Sequence, residues 1–356
     1  LCPEQVITDY IGRLIEFPEA LQVLTFASGR VSLVAVRALE GGALVGKPIK
    51  DLRKLLPLEM DARIAAIFRR DQPVVPEGGT VVEAGDEVFV LAATEHIRPV
   101  LHQLRRMVTP VRRIMIAGGG NIGLRVAKSL EKRYDVKVID NNPRRAELVA
   151  GELHKTLVLL GDATDEDLLV QENISDMDLF IAVTNDEEDN IMSGSLAKRL
   201  GCKRVVALIN RRAYAEMIEG GPIDIGISPA HVSIGSLLAH VRQGDVAEVH
   251  SLRRGAAEAL EIVAHGDAKT SKVVGKRIDQ IDWPAGVTVA ALVRNLDKIV
   301  TVGQSENWTA VTQKGEVVIP HHDTVIKPDD HVIVFCTQKT VVRKVEKLFQ
   351  VGFHFF

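Results

Sequence analysis

Three glycines and one aspartate define the chemistry open to this chain. Gly118, Gly120 and Gly123 fit the spacing G-x-G-x-x-G, with Gly119, Asn121 and Ile122 in the intervening places, and Asp140 follows 20 residues past Gly120. Glycine at such places permits a tight turn, lets backbone N–H groups approach a pyrophosphate and allows a helix to pack closely on a strand. A helix opening at the loop adds unpaired N–H donors and the positive end of its dipole for the same anion. An acid at that distance accepts hydrogen bonds from both hydroxyls of a ribose, which favours NAD over its 2′-phosphorylated form. Taken alone the glycine spacing is a weak signal; its weight depends on the elements around it.

Those elements are legible. Ile114, Met115, Ile116 and Ala117 precede the glycines as an apolar run of the kind a buried parallel strand carries. Ile122, Val126, Ala127 and Leu130 recur behind them at helical spacing, and Val136, Val138 and Ile139 form the next strand, ending at Asp140. Further strands are expected at 157–160, 179–183, 205–209 and 223–227, the last after a helix at 214–218. They close on small polar residues: Gly161-Asp162-Ala163-Thr164, Thr184-Asn185-Asp186 and Asn210-Arg211. Ligands of open parallel sheets sit outside the carboxyl ends of the strands. Asp162 and Thr164 are therefore candidates for adenine or its ribose, a bare helix N-cap being the alternative. Thr184 and Asn185 stand where the phosphate–ribose portion should pass.

Other reactive types are better explained structurally. Glu187, Glu188 and Asp189 fit the first turn of a helix, where acids offset the dipole. Arg125 reads as a solvated arginine as readily as a phosphate ligand, and Arg144 and Arg145 as surface arginines, since Asp140 argues against a 2′-phosphate. His321 and His322 would point opposite ways on a strand, poor geometry for one metal. Cys202 has no histidine near it in sequence to activate it. No proton donor or acceptor of the kind a dehydrogenase needs is clustered anywhere, so a binding or sensing role is expected rather than catalysis, with an NAD-dependent oxidoreductase as the alternative.

Composition sets the outer bounds. The 356 residues are enough for two or three domains, and 46% hydrophobic with 26% charged residues is ordinary for a globular protein. A formal net charge of −3 carries no basic footprint for nucleic acid. Apolar runs such as 88–93 and 332–336 have strand length and are too short to span a bilayer. Three isolated cysteines without C-x-x-C spacing fit a reducing, cytoplasmic setting.

The flanks of the glycine-bearing domain repeat one another. Pro3 and Val6 match Pro229 and Val232; Gly46-Lys47-Pro48-Ile49 matches Gly275-Lys276-Arg277-Ile278; Ile64-Ala65-Ala66-Ile67 matches Val289-Ala290-Ala291-Leu292. Pro76, Thr80, Asp86, Val88 and Val90 then match Pro320, Thr324, Asp330, Val332 and Val334. The offset rises from 225 to 244, which places an insertion of 19 residues (244 − 225) around 297–314 in the second copy. Each copy opens with a helix, 3–16 and 229–241. In the second copy that helix is the tail of a nucleotide domain, so the first implies a missing upstream nucleotide domain of about 130 residues. The expected organisation is a helix at 1–20, a first lobe at 21–109, the nucleotide domain at 110–250, a second lobe at 251–349 and an aromatic tail at 350–356.

Together, Gly118 to Gly123, Asp140, Gly161-Asp162-Ala163, the run from Ala182 to Glu187 with Asn190, and Ile227-Ser228-Pro229 resemble the nucleotide-binding half of RCK (or KTN) domains. The lobes, with Val-Gly-Lys and Gly-Asp-x-Val or Asp-Asp-x-Val signatures, resemble RCK C-lobes, and the tandem order is similar to Trk-type potassium uptake regulatory subunits. The resemblance implies an α/β fold: a Rossmann-like doubly wound parallel sheet flanked by two small α+β RCK C-lobes. It implies a peripheral protein on the cytoplasmic face of the membrane that binds NAD(H), or ATP or ADP, and gates an integral membrane potassium-translocating subunit of the TrkH type. It also implies a homo-oligomer assembled through crossover helices, here 3–16 and 229–241, whose apolar faces carry Val6, Ile7, Ile11 and Leu14, and Val232, Leu237, Leu238 and Val241. Nucleotide contacts carry over to Gly118, Gly119, Gly120, Asn121, Ile122 and Asp140, and to Asp162, Thr184 and Asn185.

Overall fold

The computed structural model describes residues 3–104, 110–211, 213–214, 221–229, 246–252, 256–296, 299–302, 309–312 and 315–351. Most of the helix expected at 229–241, most of that at 214–218 and the tail beyond 351 lie outside the described residues. The chain divides into two compact units, Leu1–Leu21 with Val108–Ser233, and Gln22–Met107 with Ile234–Phe356. The first opens with α1 (Pro3–Glu16), which has Glu4 in its first turn and Arg13 in its last, each complementing the dipole. Ile7, Ile11, Leu14 and Ile15 recur every three or four residues and are all buried.

The second unit begins with an antiparallel sheet. Strands β1 (Ala20–Phe26), β2 (Val31–Arg37), β3 (Ala62–Arg69), β4 (Gln72–Val74) and β5 (Glu87–Ala93) lie in the order β1-β2-β5-β3-β4. A short α2 (Leu52–Leu55) follows a 3-10 turn behind Pro48. After β5 a 3-10 turn, Thr94–His96, leads into α3 (Ile97–Leu101). Gln103 and Leu104 then make i→i+3 bonds to Val100 and Leu101, while their own carbonyls accept the N–H groups of Leu44 and Leu39. Ile97, Val100, Leu101 and Leu104 are buried as their spacing requires.

The first unit continues as β6 (Arg113–Ala117), α4 (Asn121–Leu130), β7 (Asp135–Asp140), α5 (Pro143–Glu152), β8 (Leu157–Leu160), α6 (Glu166–Gln171), β9 (Leu179–Ala182), α7 (Glu187–Arg199), β10 (Val205–Leu208) and β11 (Ile225–Ile227). The sheet order is β11-β10-β9-β6-β7-β8, and every pairing is parallel. This is the Rossmann-like doubly wound sheet expected, with its topological switch between β6 and β9. The central strands β6, β9 and β10 are buried on both faces, which is why they read as unbroken apolar runs. Asp178 ties β9 to its neighbours, accepting from the N–H groups of Arg112 and Arg113 and from Lys203 Nζ at 2.7–2.9 Å. Burial alone would raise its pKa; those donors together hold it below the usual value. α1 packs along α4, with Arg125 donating to Gln5 and Arg133 facing Glu16.

The second lobe repeats the first strand for strand. β12 (Val246–Leu252), β13 (Ala257–Val263), β14 (Val287–Arg294), β17 (Glu316–Val318) and β18 (His331–Cys336) pair in the order β12-β13-β18-β14-β17, and α8 (Val342–Phe349) closes the lobe. Its sheet starts at Val246, inside the span the sequence assigned to the nucleotide domain. Within the insertion, β15 (Ile299–Val302) and β16 (Thr309–Thr312) pair as a separate two-stranded antiparallel sheet. Repetition reaches single residues: the register shifts between Ile64 and Ala66 in one lobe and between Val289 and Ala291 in the other. Asp86 and Asp330, both buried, face Arg69 and Arg294. The two lobes pack on each other within this unit. Phe89 and Phe335 meet with ring centroids 5.3 Å apart, and Arg63 donates to the Pro320 carbonyl. The buried Glu261 accepts from the Ala27 N–H of the first lobe at 2.7 Å and meets His331 Nδ1 at 2.6 Å.

Candidate functional site

At the carboxyl ends of β6, β7, β8 and β9 lies a cavity of about 370 Å³. Gly118 and Gly120 form one wall. Ile139 to Asn142 with Arg145, Gly161 to Thr164, and Val183 to Asp186 with Asp189 and Ser193 complete the described lining.

The glycine loop owes its shape to two contacts. Gly118 has φ +101°, and a Cβ there would stand 2.9 Å from the Thr184 nitrogen. A Cβ on Gly123 would fall 1.8 Å from the Gly118 carbonyl oxygen, so only glycine lets α4 start this close to β6. Gly120 differs: nothing lies within 4 Å of its missing Cβ, and it faces the cavity as the N-cap of α4. The first turn of α4 holds no acid, leaving its N–H groups and dipole open to an anion.

Asp140 ends β7 beside that loop. Its Oδ2 accepts from the Gly119 N–H at 2.7 Å and its Oδ1 from the Asn142 N–H at 2.9 Å. Both oxygens thus have a fixed orientation, and each keeps lone-pair capacity for a hydroxyl. Asp162 Oδ1 accepts from both the N–H and the hydroxyl of Thr164, a closed local turn; the N-cap of α6 is Asp165. On the far side, Asn190 is 1% exposed and its amide organises the β9–α7 turn. Its Oδ1 accepts from Thr184 N and Thr184 Oγ1 at 2.8 Å, while Nδ2 donates to the carbonyls of Thr184 and Leu208. Thr184 and Asn185 are thereby presented to the cavity by a buried clamp.

Of the residues singled out from sequence, Gly118, Gly120, Asp140, Asp162, Thr164, Thr184 and Asn185 come together around the cavity. Gly119, Asn121, Ile122 and Gly123 are not among its lining residues; they shape the loop and the start of α4. Arg125 does not line it and donates to Gln5. Sequence reasoning passed over three charged lining residues: Asp186, which follows Asn185, and two more in helix first turns. Arg145, read as a surface arginine, is partly buried in the first turn of α5. Asp189, read as an acid offsetting a dipole, also lines the cavity, and burial followed by the charges of Asp186, Asp162 and Glu188 raises its pKa. The available signal was position: both stand in the first helical turn after a strand that ends at the site. Elsewhere, burial pushes the Cys202 thiol up to about 11, which leaves it a weak nucleophile. His321 lies 3.7 Å from Asp61, and among the described residues no three His, Cys, Asp or Glu side chains are grouped to hold a metal.

Residues 114–229 match the family model described as the TrkA-N domain, and residues 33–104 match the TrkA-C domain. The Trk system potassium uptake protein TrkA of Halomonas elongata is 51% identical over 356 residues, covering 100% of this chain and 74% of that relative. The chain belongs to the TrkA family. The TrkA proteins of Vibrio alginolyticus and Haemophilus influenzae are 51% and 45% identical over 350 residues, each covering 98% of this chain and 72% of the relative. The TrkA-N match spans β6 to β11 and so contains every residue of the cavity, while the TrkA-C match falls on the first of the two lobes. Among the described residues no helix is long and apolar enough to cross a membrane.

Proposed function

We propose that the cavity binds NAD(H), with ATP or ADP as the competing ligands, and that the chain is the nucleotide-sensing regulatory part of a potassium uptake system. One observation carries the reading: an acid-free helix N-terminus at Gly118 and Gly120, and Asp140 beside it, face a single cavity at the switch point of a parallel sheet. A pyrophosphate meets the α4 N–H groups, Asp140 takes the ribose hydroxyls, Asp162 stands toward the adenine side, and Thr184 and Asn185 border the remainder of the ligand. About 370 Å³ is within the ordinary range for such a pocket.

Among the described lining residues no imidazole, thiol, phenol or amine stands beside the glycine loop, which supports sensing over hydride transfer. Control then works by population shift: a nucleotide biases the assembly by no more than the difference in its affinity for two arrangements. The partner on this reading is an integral membrane potassium-translocating subunit of the TrkH type, met on its cytoplasmic side, and copies of the chain assemble through helices such as α1. Isothermal titration with NADH, NAD, ADP and ATP, comparing the native chain with Gly120→Asp and Asp140→Ala, tests the site. Aspartate is a competent N-cap, so Gly120→Asp should fold normally and lose binding at least about tenfold through its charge at the helix start. Unchanged binding in both variants would remove the assignment, and steady consumption of NADH with an oxidised small substrate would replace the sensor with an oxidoreductase.

A further inference from the structure

The charges around the cavity are unevenly placed. Among the described residues, four carboxylates line it, those of Asp140, Asp162, Asp186 and Asp189, against the guanidinium of Arg145. Arg145 sits five residues after Asp140, on the β7–α5 side, where the adenosine half is proposed to lie. Among the described residues, the charged side chains lining the β9–α7 side are Asp186 and Asp189, with Arg211 beside them paired to Glu188 at 3.1 Å.

Three of the four carboxylates are engaged locally. Asp140 holds the N–H groups of Gly119 and Asn142, Asp162 holds Thr164, and Asp186 caps α7 by accepting from the Asp189 N–H at 3.0 Å. The Asp189 carboxylate accepts no hydrogen bond among the described residues. Burial first, and then the like charges of Asp186, Asp162 and Glu188, raise its pKa.

The two helix starts that meet here are consequently opposite in character. The first turn of α4 has no acid, whereas that of α7 carries Glu187, Glu188 and Asp189, which offset its dipole. Phosphate is favoured at one and disfavoured at the other.

We infer that Asp189, assisted by Asp186, is a specificity-determining charge filter that admits a dinucleotide and disfavours nucleotides ending in a terminal phosphate. The inference rests on the nucleotide reading above. A terminal phosphate adds about −1.5 to −2 charge at pH 7. In ADP or ATP that charge leaves the α4 N-terminus and runs toward the acidic β9–α7 side. In a dinucleotide the same region receives a ribose and a nicotinamide ring, uncharged when reduced and cationic when oxidised. The resulting order of affinity in the absence of divalent cations is NAD, then NADH, then ADP, then ATP.

The experiment is titration of the full chain with those four ligands in EDTA at low ionic strength, for the native protein, Asp189→Asn, Asp186→Asn/Asp189→Asn and Gly120→Asp. Asparagine preserves size and N-capping at position 186, and unchanged thermal transitions check that the variants fold. The native chain should bind NAD at least about tenfold more tightly than ATP. Asp189→Asn should narrow that ratio several-fold and the double variant further, mainly by strengthening ATP, and added salt should shrink the ratio as well. Equal native affinities for NAD and ATP, or a ratio that neither variant changes, would overturn the filter while Gly120→Asp still weakens binding of every ligand. If Gly120→Asp leaves every ligand bound as before, the nucleotide reading fails, and the filter falls with it.

Discussion

Gly123 and Gly120 show how similar residues in one motif do different work. A methyl on Gly123 would sit 1.8 Å from the Gly118 carbonyl, and no flexible side chain is there to yield. Gly123→Ala should therefore push α4 away from β6 at a cost of about 1–3 kcal/mol, as overpacking does, and weaken nucleotide binding with it. Gly120→Ala, with open space around the added methyl, should change stability by only a few tenths to about 1 kcal/mol, as expected at an N-cap. Urea unfolding of the two variants separates them; equal losses would mean that the close approach of helix and strand is not what Gly123 provides.

At the scale of elements, the turn from β9 into α7 depends on Asn190, which reaches Thr184 on one side and the Leu208 carbonyl on the other. Asn190→Ala leaves those buried groups unpaired, and a loss of about 1–3 kcal/mol is expected by chemical denaturation. A parallel drop in nucleotide affinity should follow as Thr184 and Asn185 lose their support. The parallel strands were legible because strands buried on both faces must be apolar throughout, and β6, β7 and β9 fell within a residue or so of their expected limits. Asp140, Asp162, Thr184 and Asn185 were legible as site candidates because they follow strand ends. Arg145 and Asp189 were not, since an arginine or an acid in a first helical turn has an adequate local explanation and only the cavity distinguishes the cases.

At the scale of the molecule, the repeat is also an interface. Phe89 and Phe335 are at most 1% exposed, and each lobe covers the other's aromatic ring. Phe335→Ala should cost about 3–5 kcal/mol and loosen both lobes together, read as a shared change in hydrogen-exchange protection. Exchange confined to the second lobe would show the rings to be separately supported. Because both partners of this pair belong to one chain, their encounter is intramolecular, at an effective concentration that dilution cannot lower. Two separate copies of one lobe would have to present the same face to each other, and any mutation would appear on both sides at once. Here each side accepts changes alone. Glu261 and His331 occupy the places that Ala35 and Glu87 hold in the first lobe, and Glu261 grips Ala27 in one direction only. Duplication has turned a self-complementary contact into a lock and a keyhole that can diverge independently.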